Sequence, residues 1–514
     1  MAADGYLLGF DVGSSSIKAS LIDIASGAAA GEATSPKQEL AIQAPRPGWA
    51  EQDPSTWWEN IVAASAELRA AAGKAFQDVR AIGVAYQMHG LVLLDKAGRV
   101  LRPSIIWCDS RAVSIGESAF KGIGEKHCLD RLLNSPGNFT ASKLAWVKQN
   151  EPDVYAHVQH MLLPGDWVAF RMTGERSTTY TGLSEGILWD FPAGGRADMV
   201  LDWYGIPHDR VLNPMASFAV AGGLTAEAAE ALGLRKGTPV AYRSGDQPNN
   251  AFSLGVLEPG EAAATAGTSG VVYGVIDSPR YDPASRVNTF VHVNHAPNRP
   301  RYGVLMCLNG TGILYSWLRK LLVGDTGAVP YDELNRVAAG APVGSDGLVI
   351  LPYGNGAERT LENRNPGASI LGLDFNRHGI AHLLRAGQEG IVYALNYGLR
   401  IMKEMGAGTS RPAADFRTIR AGDANMFLSP LFREAFATVT GARVELYETN
   451  GAQGAARGAG VGAGVYKDAA QAFGKMKPVQ SVEPVRSQAD AYAQAYGRWE
   501  ETLKQAMRQG SGRA

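Results

Sequence analysis

The stretch "GFDVGSSSIKASLID", residues 9–23, carries the reading of the fold. The apolar segment YLLGFDV runs into the turn Gly13-Ser14-Ser15-Ser16, and IKASLID leaves it, which predicts a β-hairpin. Glycine lets the backbone turn tightly, and successive N–H groups with serine hydroxyls make an anion nest. Asp11 stands where the first strand meets that nest. A carboxylate repels phosphate unless a divalent cation sits between them. Asp11 therefore reads as a ligand of Mg²⁺, usually through water, with nucleotide phosphates on the ion's far side.

The segment has a second copy. "DVGSSSIKASLID" (11–23) aligns without gaps to "TAGTSGVVYGVID" (265–277), with identities at Gly13/Gly267, Ser15/Ser269, Ile22/Ile276 and Asp23/Asp277. Two readings stand: unrelated hairpins, or a duplicated fold whose halves each point a phosphate-binding hairpin into a shared cleft. The copies differ at the acid, Asp11 in the first and Thr265 in the second.

The surroundings suit a large globular α/β protein. The 514 residues are 45% hydrophobic and 19% charged, enough apolar material for more than one core. With 49 basic against 50 acidic residues, nothing suggests a nucleic-acid or membrane surface. No apolar run reaches the roughly 18 residues of a membrane span. The N-terminus lacks a basic region and a long apolar region, so no signal peptide is read. Cys108, Cys128 and Cys307 are few, scattered and odd in number, which fits a reducing cytoplasm. Strands at 79–88 and 91–95 alternate with helical patterns at 55–75, within 225–234 and within 331–341. Ser55 is the expected N-cap of the first helix. The tail "KQAMRQGSGRA" is polar and Gly-rich and is expected to fray.

Four further constellations bear on chemistry. In "RSGDQPNNAFSLG" (243–255), Asp246 is either the N-cap of a short helix or a general base presented at a helix start. In "QMHGLVLLD" (87–95), His89 is either a structural histidine or a polyol-reading imidazole with Met88 beneath it. Asp109 and Arg111 of "WCDSR" form either a local salt bridge or a polar wall of that pocket. "GAARGAGVGAGVYKD" (454–468) brushes against a dinucleotide fingerprint, but no acid follows about 20 residues on, so it reads as a small-residue helix packed on a sheet. No GxxxxGK[ST] loop occurs.

On these residues the chain resembles the FGGY carbohydrate kinases of the actin/hexokinase-like ATPase superfamily, and within them the xylulokinases. "PGWAEQDPSTWW" (47–58), "QMHGLVLLDKAGRVLRPSIIWCDSR" (87–111), "FTASKLAWVKQNEPDVY" (139–155), "SGDQPNNA", "GEAAATAGTSGVVYGV" and "IRAGDANMFLSPLFREAFATVTGARVELYE" (419–448) are similar to family blocks along nearly the whole length. The resemblance implies two ribonuclease H-like α/β domains, 1–250 and 251–514, with the active site in the cleft between them. It implies ATP-dependent phosphorylation of D-xylulose to D-xylulose 5-phosphate with Mg²⁺, in the cytoplasm, and leaves a homodimer open. Asp246 is then the general base; Met88, His89, Asp246 and Gln247 contact the sugar; Asp11 serves the metal. Ser14, Ser15, Gly267, Thr268 and Ser269 serve phosphates, Gly310 and Thr311 lie near the nucleotide, and Gly422 and Asn425 near adenine and ribose. Three positions depart from the pattern: a single Gly422 followed by Asp423 in the adenine loop, Gln247 where many xylulokinases carry Asn, and Asn138 where a small residue is usual. The alternatives are another ketose or polyol such as ribulose, or a catalytically silent sugar- or nucleotide-binding regulator on the same fold.

Overall fold

The opening hairpin forms in the computed structural model, which describes residues 5–324, 329–357, 359–405 and 415–510. Tyr6–Val12 (β1) and Ile17–Asp23 (β2) pair antiparallel, with Tyr6 opposite Asp23 and Val12 opposite Ile17. Ala29–Ser35 (β3) extends the sheet beyond β2, and Val79–Tyr86 (β4) lies parallel to β1 on its other side. Gly222–Gly223 (β5) and Pro239–Gly245 (β6) complete it in the order β5-β6-β4-β1-β2-β3. Leu7, Leu8, Phe10 and Val12 are all fully buried, so β1 reads as an apolar run rather than an alternation. That is the pattern of a strand covered on both faces.

The second copy builds a second sheet. Glu261–Ala266 (β7) pairs antiparallel with Gly270–Ile276 (β8). Asn288–Val291 (β9), Tyr302–Leu308 (β10), Thr418–Gly422 (β11), Arg443–Tyr447 (β12) and Gln480–Val482 (β13) complete the order β9-β10-β8-β7-β11-β12-β13. Each hairpin's first strand has its partner strand antiparallel on one side and a parallel strand on the other, and the parallel run ends in an antiparallel edge strand. The duplication is thus real at the level of topology. The gapless alignment fails only after the turn: Val12 pairs with Ile17, but Ala266 pairs with Gly270. The second turn is one residue shorter, so its return strand is offset by one, and a one-residue offset exchanges the faces.

Helices cover both sheets. Pro54–Ala72 (α1) packs on β2 and β3. Thr140–Asn150 (α2), Asp246–Ser253 (α3), Gly312–Val323 (α4), Tyr331–Ala338 (α5) and Ile380–Glu404 (α6) follow. Gly451–Gly462 (α7) and Ala489–Gly510 (α8) come last. The α1 cap is Asp53, not Ser55: its carboxylate accepts from the Ser55 N–H at 2.9 Å, and Pro54 opens the helix. The tail is not frayed through residue 510. Tyr492, Tyr496, Trp499 and Leu503 form a buried helical stripe that anchors α8, and residues 511–514 lie outside the described residues. No helix among the described residues is long and apolar enough to cross a membrane.

The small-residue helix α7 belongs by sequence to the second half, yet it lies across β1, β4 and β6 of the first sheet. A division of the chain at residue 250 separates the strands of the two sheets but not their coverings. The contact is backbone to backbone. A Cβ on Gly9 would stand 1.9 Å from the Ala452 carbonyl oxygen, one on Gly83 2.0 Å from that of Ala455, and one on Gly462 1.8 Å from that of Ala241. The glycines of this segment therefore serve close packing.

This geometry predicts that Gly83→Ala is strongly destabilising. The methyl group would overlap main chain that no rotamer change can move, and overpacking of this kind costs about 1–3 kcal/mol or more. Thermal unfolding followed by circular dichroism should show a lowered Tm; a variant melting with the wild type would refute the close approach.

Candidate active site

The residues singled out in the sequence gather at one end of the two sheets. Asp11 lies near the end of β1, His89 follows β4, Asp246 follows β6, Thr265 lies near the end of β7, and Gly422 and Asn425 sit at and after the end of β11. β1, β4 and β6 run parallel, as do β7 and β11. Ligands of such sheets bind outside the carboxyl ends of the strands, where side chains from several strands converge.

The acids come first. Gly13 N–H donates to the Ser16 carbonyl at 3.1 Å and closes the first turn. The Ser14 carbonyl accepts from Gln52 at 2.7 Å, and its hydroxyl accepts from the Trp107 indole at 3.3 Å. Behind the turn, α7 begins directly on Asp11. A Cβ on Gly451 would stand 2.3 Å from the Asp11 carboxylate and 3.2 Å from the Asn250 side-chain oxygen. Asn249 ties the two helices together, donating to the Gly451 carbonyl at 2.9 Å while accepting from the Tyr242 hydroxyl at 3.1 Å. Asp246 is the first residue of α3, with Gly245 in the capping position, so the N-cap reading of this aspartate does not hold. Burial, and then the charge of Asp11, push Asp246 up to about 7. Burial also raises Asp11, against the pull of Lys18. Two carboxylates thus share a confined space, and Asn250, which the sequence reading missed, adds a neutral oxygen. That donor set suits a hard divalent cation.

The sugar-facing candidates adjoin. His89 adopts φ 62°, a left-handed conformation unusual for a residue with a side chain. Its Nδ1 lies 2.9 Å from the Glu185 carbonyl oxygen. A carbonyl only accepts, so Nδ1 carries the proton and Nε2 presents a lone pair. Burial, then the charge of Lys143, lower this imidazole to about 3, so it is neutral at any working pH. Phe139 packs edge-on against the ring at 4.7 Å, and Phe290, from β9, lies at 5.7 Å. His89 is therefore both backbone-bonded and available at one nitrogen. Met88 is buried against Gly245, where a Cβ would stand 2.5 Å from its Cγ and 2.3 Å from a Glu185 carboxyl oxygen. Glu185 is 1% exposed, and burial and the charge of Asp246 push its carboxyl well up. Gln247 donates to Asp246 and moderates its rise. Asp109 and Arg111 resolve as a buried ion pair at 2.6 Å, joined by Glu51 at 2.6 Å and capped by the Trp49 ring 3.8 Å away. They brace the pocket from behind.

On the other side, Gly267, Thr268 and Asn425 line a cavity of 490 Å³. Thr268 and Ser269 are exposed at the tip of the second turn. Gly310, Thr311 and Gly422 do not line the cavity. The buried Thr311 hydroxyl donates to the Gly267 carbonyl at 2.7 Å, and Gly312 N–H donates to the same oxygen at 2.7 Å. Thr311 shapes the hairpin from beneath. A Cβ on Gly310 would stand 1.6 Å from the Pro352 oxygen, so this glycine permits packing. The rest of the lining comes from residues the sequence did not mark, among them Tyr315, Tyr331, Asp332 and Asn335 on α4 and α5. Their only sequence signal was helical amphipathicity.

Comparison with known proteins identifies the family. Residues 6–253 match the family model for the N-terminal domain of the FGGY family of carbohydrate kinases, and residues 262–465 match that for the C-terminal domain. A xylulose kinase of Escherichia coli is 31% identical over 456 residues, covering 88% of each chain. One of Klebsiella pneumoniae is 32% identical, covering 92% of each. Among solved structures, a xylulose kinase from Rhodospirillum rubrum superposes with a TM-score of 0.87 at 26% identity, covering 98% of this chain and 100% of the other.

The crowding of Asp11 and Asp246 makes a prediction about stability. Folding raises the Asp246 pKa above its unfolded value, so the folded form keeps a proton that the unfolded form loses from about pH 4 upward. The resulting cost is absent below that pH and complete above about 7. Asp246→Asn should therefore melt higher than wild type at pH 8, with the gap closing toward pH 4. Equal melting temperatures at pH 8 would show that this carboxylate pays no burial or repulsion cost.

Proposed function

We propose D-xylulose as the acceptor and ATP as the phosphoryl donor of this protein, which belongs to the FGGY family of carbohydrate kinases and is a sugar phosphotransferase. The observation that carries the reading is Asp246. It stands at the mouth of α3, ionises near neutral pH, and lies beside both the Met88–His89 segment and the Asp11 carboxylate.

Asp246 accepts the proton of the attacking sugar hydroxyl as its oxygen bonds to the γ-phosphorus of ATP, while the bond from that phosphorus to the β–γ bridging oxygen breaks and ADP leaves. A base with a pKa near 7 is largely available at the operating pH and retains driving force for the transfer. His89 Nε2 accepts from a second hydroxyl, and Met88 supplies the apolar floor. Gln247 hydrogen-bonds Asp246 and reaches the sugar from the same turn. The turns at Ser14–Ser15 and Gly267–Ser269 face phosphates from opposite sides, the second with Thr265 in place of an acid, so that it grips phosphate directly. Asn425 adjoins Gly267, its side-chain amide 3.6 Å from where a Cβ on that glycine would stand, and contacts the nucleoside. Asp11 and Asn250 would hold Mg²⁺, which when bound neutralises phosphate charge and relieves the repulsion between Asp11 and Asp246. Among the described residues the cysteines form no disulfide, which fits a cytoplasmic setting. Gln247 favours one second reading: the same chemistry on another ketose or polyol.

ADP release measured against a panel of ketoses and polyols tests the acceptor. D-Xylulose should show the highest kcat/KM; a tenfold preference for ribulose or glycerol, about 1.4 kcal/mol of transition-state binding, would overturn the assignment. Asp246→Ala should lose about 10²–10⁴-fold in turnover per folded molecule. A folded variant keeping more than about a tenth of wild-type turnover would remove Asp246 from the role of base.

A further inference from the structure

We propose that Lys143 is a positioning residue for sugar recognition, which locks the His89 turn to the Ile106 loop so that the imidazole Nε2 meets a sugar hydroxyl as an acceptor. The inference rests on the sugar-kinase reading and assigns to it a residue that touches neither substrate.

Lysine is among the residues least often buried completely, because its charge is costly to remove from water. Lys143 is nevertheless 0% exposed within α2. Among the described residues no carboxylate lies within ion-pairing distance of it. Its Nζ donates instead to two main-chain carbonyls, that of His89 at 2.8 Å and that of Ile106 at 2.9 Å. The first belongs to the loop that carries Met88 and His89, and the second to the loop that leads to Asp109 and Arg111. The first loop holds His89 at φ 62°, and strained backbone of that kind persists only where its surroundings hold it. The start of α2 acts as a clamp on the same loops. The Phe139 ring abuts the imidazole, Thr140 donates to the Gly90 carbonyl at 3.4 Å, and Asn138 donates to the Asp109 carbonyl. Lys143 closes that clamp one helical turn deeper. Burial lowers its amine to about 7, and either form of the amine has an N–H group for each of the two carbonyls.

The test compares Lys143→Met, of similar length without donors, with Lys143→Gln, which keeps an amide on a shorter arm. For folded Lys143→Met the KM for the best sugar should rise about tenfold or more, with the KM for ATP within about twofold. Lys143→Gln should recover part of the loss. A purely structural lesion would reduce the folded fraction and leave the sugar KM of the remainder unchanged. A sugar KM within about twofold of wild type in folded Lys143→Met, or an equal rise in its KM for ATP, overturns the proposal. A second measurement does not depend on activity. With ¹⁵N-labelled histidine, and His89 assigned through a His89→Asn variant, wild type should show one neutral Nδ1–H tautomer at pH 6. Lys143→Gln should disturb that signal, and an unchanged His89 signal would refute the role. Were the wild type to phosphorylate no sugar, the kinase reading would fall while the histidine spectrum still decided the role of Lys143.

Discussion

The rest of the structure depends on the contact between α7 and the first sheet. Most helices rest on sheets through side chains, at a distance those side chains set. Here the strands offer Gly9 and Gly83, and the helix offers glycine and alanine, so main chain meets main chain. The approach places the N-terminus of α7 on the Asp11 carboxylate, and Asn249 then fixes α3 against the same point. A helix N-terminus carries partial positive charge, and Asp11 sits within its reach. The C-terminal half of the chain thereby finishes a site that the N-terminal strands begin.

A site built this way concentrates cost. Asp11, Asp246 and the buried Glu185 are all held above their ordinary pKa values, chiefly by burial. Such groups destabilise the protein that holds them, and they recur at catalytic positions because chemistry needs groups poised between protonation states. On the sugar side the opposite device operates. His89 and Lys143 are cations by habit, and burial drives both toward neutrality. A pocket so built suits the neutral sugar proposed for it, with a neutral imidazole facing the sugar and ionisation left to Asp246.

Much of this was legible in the sequence. Both hairpins announced themselves through a glycine and small hydroxyl residues between apolar segments, and the weak repeat disclosed a duplicated topology. Asp246, His89 and Asp11 were marked by polar residues at strand ends. What was hidden is long-range. A turn one residue shorter in the second copy left the linear alignment intact while offsetting the strand pairing. Asp53 and Ser55 are both good capping residues, and only the entry angle at Pro54 decides between them. Thr311 was expected near the nucleotide, but that its hydroxyl turns back to the Gly267 carbonyl could not be read from the sequence. Lys143 and Glu185 are charged residues inside helical patterns, where a solvated face is the usual reading. Their burial follows from neighbours about fifty and sixty residues away in the chain.

The single-residue difference between the hairpins, Asp11 against Thr265, follows from the same reasoning. Both positions lie near the end of the central strand of a sheet, so duplication alone would give both the same neighbours. Their environments diverge because α7 covers only the first. Asp11 faces a helix start, the Asn250 amide and the second carboxylate, a set that calls for a cation. Thr265 pairs with Val271 beside an open turn whose Thr268 and Ser269 reach solvent. In the proposed reading a carboxylate there would face nucleotide phosphates with no comparable cluster of oxygen donors to hold an intervening ion. The acid then belongs where the helix and its partners can balance it, and the neutral hydroxyl where backbone N–H groups would meet phosphate directly. On that proposal, one substitution within a repeated motif is enough to separate an edge suited to a metal from an edge suited to phosphate.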